Sequence, residues 1–295
     1  MATQRDIKRR ITSVQNTRKI TKAMEMVAAA RLRRAQQRIE STRPYALTMM
    51  EFIAGLARYV EFDPQKFPLL KQHAEVNRVA LVALTADRGL AGAFNANIIR
   101  ATAQRYRAYA AEGIGVDVVV VGKKGVGTFR FQGYEMDHAY TGITDRPEFS
   151  DAQAIAHRVE ELYTSERVDR VHLIFNSFKS AMEQAVVDQV ILPIQEELVP
   201  EYVPEEAGPN LDFLFEPTAP EILNELLPRF LDMTVFRALL ESTASEHGAR
   251  MTAMRNASEA AAEMIDSLTL AMNRARQASI TQEILEVVAG ADALE

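Results

Sequence analysis

The chain has 295 residues and no cysteine. Disulfides and thiolate metal sites are thereby excluded, and a reducing compartment is consistent with that composition. No stretch approaches the roughly 18 apolar residues that a membrane-spanning helix needs. The N-terminus lacks the apolar core of a secretory signal. It is Arg-rich like a transit peptide, but its apolar stripe continues well past any cleavable length, so it reads as mature protein. Aromatic residues make up only 7%, and none occurs before Tyr45. No two histidines have metal-ligand spacing such as H-E-x-x-H, and there is no G-x-S-x-G elbow. The five histidines, His73, His138, His157, His172 and His247, read as structural or exposed. No catalytic residue, metal site or cofactor is expected from these patterns.

What is present is a marked asymmetry of charge. Residues 1–43 hold 12 Lys and Arg against Asp6, Glu25 and Glu40, a balance of +9. The whole chain is −6, so the remainder carries −15. A basic arm for an acidic partner follows. Nucleic acid and an anionic membrane are the other candidates for the stretch 8–34, "KRRITSVQNTRKITKAMEMVAAARLRR". Without aromatics there is no base stacking. Ala23, Met24, Met26, Val27 and the alanines 28–30 form a cuff rather than one wide apolar face. A charged helix inside an acidic protein collar fits better than either, with a solvated charged face as the plainer alternative.

Two long helices are expected at the ends. "TQRD" at 3–6 fits a capping box opening a helix over about 3–58, with Pro44 its only proline. Stepping by four and three gives Ile7, Ile11, Val14, Arg18, Thr21, Glu25, Ala28, Leu32, Ala35 and Ile39. This is a coiled-coil stripe with a polar interruption. "TAPE" at 218–221 opens a second helix over about 218–289. Its stripe is Met254, Ala257, Ala261, Met264, Leu268, Ala271, Ala275 and Ala278. A kink or break is expected at Pro228. Beyond the stripe, "ITQEILEVV" (280–288) is apolar on more than one face.

Between the helices, "RVALVAL" (78–84), "VDVVVV" (116–121) and "RVHLIF" (170–175) read as buried strands. Helical stretches near 94–112 and 151–166 alternate with them, the βαβ pattern of a parallel, doubly wound sheet. "VVDQVILPI" (186–194) adds a strand or a helix. Pro64 and Pro68 mark the entry boundary and "VPEYVPEEAGPN" (199–210) the exit. The expected division is therefore 1–60, an N-terminal coiled-coil helix; 75–205, a Rossmann-like α/β domain with a mostly parallel sheet; and 211–295, a C-terminal coiled-coil helix. Sixty helical residues extend about 90 Å, whereas a domain of this size is about 40 Å across. An antiparallel two-helix coiled coil projecting from the sheet domain is the economical arrangement. Its apolar end then needs a sheath from another protein.

Two glycine-bearing loops follow probable strands. "GKKGVG" (122–127) matches neither G-x-x-x-x-G-K-[ST] nor G-x-G-x-x-G and reads as a turn with solvated lysines. "TADRGLAGAFN" (85–95) either binds an anion at a helix start or is fixed by Asp87 and Arg88 with Gly92 closely packed, and the second reading is favoured.

Taken together, "ITSVQNTRKITKAMEMVAAARLRRAQ" (11–36), "TADRGLAGAFN" and "NRARQASITQEILEVVAGADAL" (273–294) resemble the γ-subunit family of F-type ATP synthases over essentially the whole chain. Ile280, Thr281, Glu283, Glu286, Gly290 and Ala291 match the C-terminal signature. Many members carry cysteine where this chain has Ala91, and the chloroplast members' thiol-bearing insertion is not matched. The resemblance implies a non-catalytic rotor shaft, one copy per complex, turning inside an α3β3 ring. It couples proton translocation through the membrane c-ring to ATP synthesis or hydrolysis in β. The resemblance also implies binding to ε and to the c-ring, no nucleic acid, no cofactor, and membrane association only through the c-ring, on the cytoplasmic face of a bacterial plasma membrane. Contacts with β carry over to Arg276, Gln277, Thr281 and Glu283, and lower contacts fall near Met24 and Arg250. The tip in a hydrophobic sleeve comprises Ile280, Ile284, Leu285, Val287 and Val288.

Overall fold

The computed structural model describes residues 4–57, 60, 63, 66–180, 183–194 and 216–292. Five helices and five strands are described: α1 (Gln4–Ala57), β1 (Arg78–Leu84), α2 (Phe94–Ala111), β2 (Gly115–Val121), α3 (Lys123–Phe131), β3 (His138–Tyr140), α4 (Phe149–Thr164), β4 (Arg170–Phe178), β5 (Gln184–Leu192) and α5 (Ala219–Asp292). A 3-10 turn at Pro68–Leu70 precedes β1. Thr3 of the proposed capping box, Pro64 and the segment 199–210 lie outside the described residues. The chain divides into two compact units, one holding α1 up to Ala29 with α5 from Arg250, the other holding residues 30–249.

The larger unit is a sheet with helices on both faces. Its strand order is β3-β2-β1-β4-β5, with β1, β2, β3 and β4 parallel and β5 antiparallel to β4. Side chains alternate between faces along each strand. Ala80, Val82, Leu84, Val119 and Val121 enter one core with α4 and with parts of α1 and α5. Val79, Leu81, Ala83, Val118 and Val120 enter the other with α2 and α3. Strands buried on both faces explain why 78–84 and 116–121 read as continuous apolar runs. The segment 186–194 resolves as strand: β5 forms the antiparallel edge. β3, three residues long and mostly exposed, gave no apolar run to read.

Two expectations about single elements are corrected. Of the kink or break expected at Pro228, the break does not occur: α5 is continuous through it. A proline inside a helix costs about 3 kcal/mol, but Leu223, Leu227, Phe230 and Leu231 beside it are each at most 4% exposed. Burial is worth about 1.5–3 kcal/mol for each such side chain, which outweighs the proline. "GKKGVG" is the opening of α3 rather than a turn, with Gly122 at φ 95° preceding it, while Lys123 and Lys124 are exposed as expected. A Cβ on Gly122 would stand 2.3 Å from the Thr85 carbonyl oxygen, and one on Gly125 2.5 Å from the Thr85 hydroxyl. These glycines serve close helix–strand packing rather than phosphate binding.

The smaller unit is an antiparallel helix pair. On α1 the expected stripe is present: Ile7, Ile11, Thr21, Glu25 and Ala28 are buried and Val14 half-buried, with Arg18 exposed. On α5 the seam follows Met254, Ala257, Ser258, Ala261, Ile265, Leu268, Met272 and Ala275. Met264, expected in the seam, is 53% exposed, and Ala271 and Ala278 are exposed too. The cause is degeneracy: steps of three and four through either Met264 or Ile265 meet apolar residues, so spacing alone leaves the phase open by one residue. α5 starts where expected, with the Glu221 half of the capping box formed: its carboxylate accepts from the Thr218 amide (3.1 Å), and the Thr218 hydroxyl donates to the same carboxylate (3.0 Å).

Candidate functional site

Within the helix pair, a polar layer interrupts the apolar seam. The Thr21 and Ser258 hydroxyls meet at 2.6 Å, both buried. One turn away, Glu25 accepts from Lys22 of its own helix at 2.9 Å and from Arg255 of the opposing helix at 3.3 Å. Lys22 foremost, and then Arg255, hold the Glu25 carboxyl below its ordinary range despite burial. Arg18, Lys19, Lys22 and Arg255 border a groove of about 660 Å³ here, against the acids Glu25 and Glu259.

The two cross-helix contacts also set the register. Their residue numbers total 279 and 280, so Gln4 lies level with Ala275 or Arg276. The following residues of α5, 277–292, extend about 24 Å past that level at 1.5 Å per residue. Residues 276–289 are all exposed. Among them Ile280 is 48%, Ile284 58%, Leu285 62%, Val287 73% and Val288 50% exposed. Arg276, Gln277, Thr281 and Glu283 share this stretch; the Thr281 hydroxyl is tied back to the Gln277 carbonyl at 2.9 Å, and Ser279 donates to Glu283 at 3.3 Å. Met24 is half-buried on α1, whereas Arg250 is 8% exposed. The expected contact residues therefore fall into two groups, an exposed terminal set and a pair near the other end of this unit.

In the larger unit, the carboxyl edge of the parallel strands is where a doubly wound sheet usually binds ligands. Here the protein's own groups fill it. The Asp87 carboxylate accepts from the backbone amides of Lys123 (3.0 Å), Gly142 (2.9 Å) and Thr144 (3.2 Å), and from the Thr144 hydroxyl (3.0 Å). Burial would raise the Asp87 carboxyl, but these donors outweigh it and hold it below the usual range. Asp87 thus takes the place of an anion at the N-terminus of α3. Asp87 fixes the loop 85–95, as expected, with Arg88 3.8 Å from Asp145; Gly92, expected to be closely packed, is instead exposed and serves the turn with φ 55°. α5 covers the same edge: Ser242 donates to the Leu84 carbonyl (3.4 Å), Thr243 to that of Thr144 (3.1 Å) and Ser245 to that of Asn176 (3.2 Å).

The five histidines divide as structural or exposed. His138 and His157 are exposed, and His73 lies 3.4 Å from Asp169. His247 is 2% exposed on α5. His172, 4% exposed, stands between the Tyr109 hydroxyl (2.8 Å) and Asp188 (2.7 Å), which also accepts from Arg105 (2.6 Å). This cluster ties β4, β5 and α2 together. The partners of Asp87 at 123 and 142–144 and the hydroxyls at 242–245 are the features that spacing does not reveal. One signal was available: "ESTASEHGAR" (241–250) is polar, yet it continues a helix whose flanks are apolar.

A doubly wound sheet whose ligand edge is self-filled, and an antiparallel helix pair ending in an exposed apolar stretch, put the chain in the class of α/β proteins with long terminal coiled-coil helices. The ATP synthase family model matches residues 3–294. The ATP synthase gamma chain of Moorella thermoacetica is 48% identical over 295 residues, covering all of both chains. That of Geobacter metallireducens is 44% identical over 297 residues, again at full coverage. This chain belongs to the ATP synthase family, and within it to the gamma chains. Among solved structures, a chain of the Tetrahymena thermophila mitochondrial ATP synthase central stalk and c-ring aligns with TM-score 0.59 and 29% identity, over 81% of this chain and 99% of that one. A chain of the Euglena gracilis mitochondrial ATP synthase aligns over 99% of this chain and 94% of that one, with TM-score 0.67 at 19% identity, which speaks for the fold. Among the described residues no helix is long and apolar enough to cross a membrane.

Proposed function

We propose that this chain is the central-stalk rotor of an F-type ATP synthase, present once per complex and without an active site of its own. The helix pair occupies the bore of an α3β3 ring. The sheet unit, with the adjoining parts of both helices, binds the c-ring and ε. Proton flow through the c-ring turns the shaft, and its unequal faces drive the β subunits, where ATP is made or hydrolysed, through different affinities. The functional parts are 1–60, 75–205 and 211–295. The chain is held at the cytoplasmic face of a bacterial plasma membrane through the c-ring alone.

The observation that carries this reading is the terminal stretch of α5. Fourteen consecutive residues, 276–289, are exposed on a helix end that has outrun its described partner. Covering Ile280, Ile284, Leu285, Val287 and Val288 in a sleeve is worth about 4–9 kcal/mol in total, from about 1.5–3 kcal/mol per fully buried side chain and exposures near one half. Arg276, Gln277, Thr281 and Glu283 then face a β loop, while Met24 and Arg250 mark the level of the lower contact with an acidic β segment. The +9 of residues 1–43 suits such a partner. Exposed, screened ion pairs are each worth about 1 kcal/mol or less, so they attract without locking a rotating part.

The test is affinity purification of the tagged chain from native membranes in mild detergent. Recovery with α, β, ε and the ring-forming c subunit is expected; recovery without α and β contradicts the proposal. The competing reading, a nucleotide-binding α/β module with a coiled-coil handle, loses support from the self-filled carboxyl edge. Calorimetry of the isolated chain with ATP should show no heat of binding, and tight binding would restore that reading.

A further inference from the structure

The segment Gly142–Pro147, between β3 and α4, is gripped from three sides within the larger unit. From the loop after β1, Asp87 holds the amides of Gly142 and Thr144 and the Thr144 hydroxyl. From α1, Arg31 forms an ion pair with Asp145, and Arg38 donates to the Pro147 carbonyl at 2.6 Å. From α5, Thr243 donates to the Thr144 carbonyl at 3.1 Å. Beside it, Ser242 and Ser245 hold the ends of β1 and β4 by their carbonyls, and Ser177 donates to Glu241 at 2.7 Å. Thr243, Ser242 and Ser245 are at most 6% exposed.

We propose that this clasp is the torque joint of the rotor, with Arg31, Arg38, Asp87 and Thr243 as its positioning residues; the inference rests on the rotor reading. Apolar burial between α5 and the sheet is non-directional and resists separation more than rotation about the helix axis. Hydrogen bonds weaken steeply as their angle falls, so bonds to fixed backbone carbonyls oppose such rotation. The joint holds α1 and α5 to one short segment, and that segment is anchored to the sheet by Asp87. A load applied to the sheet therefore reaches both helices at the same point. The edge that binds ligands in other doubly wound folds has become a mechanical coupling.

The test uses the assembled ATP synthase in inverted membrane vesicles, with ATP hydrolysis and ATP-driven proton pumping measured on the same vesicles. Thr243→Val and Arg31→Gln, singly and together, are expected to leave hydrolysis per assembled complex within about twofold. The pumping-to-hydrolysis ratio should fall, by threefold or more in the double variant. Thr243→Ser, which keeps the hydroxyl, should restore the ratio. A residue that only helps folding would lower the amount of complex and leave the ratio untouched; an unchanged ratio in the double variant overturns the proposal. If Thr243→Val yields no complex, the Arg31→Gln single variant, at a partly exposed position, decides by the same ratio. Failure of the rotor reading is distinguishable, because the unmodified chain would then be absent from pumping vesicles.

Discussion

Replacing Asp87 with alanine removes one carboxylate that serves four donors: the amides of Lys123, Gly142 and Thr144 and the Thr144 hydroxyl. A hydrogen bond to a charged group contributes about 1.5–3 kcal/mol, which would total about 6–12 kcal/mol were the four independent and dry. They share one acceptor, and Asp87 is half-buried, so water satisfies part of what is lost. The expected destabilisation of the larger unit is about 3–4 kcal/mol, and about 1–2 kcal/mol for Asp87→Asn, which keeps one acceptor oxygen. Urea unfolding followed by tyrosine fluorescence measures it, since the chain has eight Tyr and no Trp. The pH dependence has a definite sign. Asp87 is held below its ordinary value of 3.8, so its contribution is fully present above that value. It is lost as pH falls through the depressed folded-state value. Wild type should therefore lose its advantage over Asp87→Ala only on strong acidification. A variant within about 0.5 kcal/mol of wild type at pH 7 would refute the role given to this carboxylate.

Gly122→Ala should prevent accumulation of folded chain, because the new Cβ meets the Thr85 carbonyl at 2.3 Å and φ is 95°; Gly127→Ala, where a Cβ meets nothing within 4 Å, should be soluble in the same expression trial. Thr21→Val leaves the Ser258 hydroxyl buried without its partner and should cost about 1–2 kcal/mol in thermal unfolding. Thr21→Val with Ser258→Ala should cost less than the two single changes added, so additive costs would contradict the pair at 2.6 Å. Ile284→Asp with Val287→Asp should leave the isolated chain's unfolding midpoint nearly unchanged, as both sites are more than half exposed. Assembly with the ring should fall sharply when scored by native gel; undiminished assembly would count against the sleeve.

The two helices and the inner strands were legible because burial leaves a period. Strands covered on both faces read as unbroken Val and Leu, and α1 buries Ile7, Ile11, Thr21, Glu25 and Ala28 at coiled-coil spacing. The phase of the α5 seam was not legible, since Met264 and Ile265 both satisfy the pattern and only contact with α1 selects Ile265. Continuity at Pro228 depends on side chains whose burial spacing alone does not reveal. The exposed terminal stretch was visible as an apolar surface wider than one helix face. The clasp around 142–147 was not, because its bonds join residues distant in sequence, as Arg31 to Asp145 and Thr243 to Thr144. Hydroxyl-to-carbonyl contacts of this kind leave no periodic trace. The loop sequence marks Asp87 as a loop-fixing residue, but its four donors come from two other segments.

The most direct measurement is site-directed crosslinking at the end of α5. The chain has no cysteine of its own, so Val287→Cys provides a single attachment point for a short photoreactive maleimide. The labelled chain is reconstituted into ATP synthase, irradiated in the membrane and digested for mass spectrometry. Crosslinks from residue 287 to the α and β subunits are predicted. Crosslinks confined to the c subunit, or to residues 75–205 of the same chain, would contradict the central claim that this apolar end turns inside the ring.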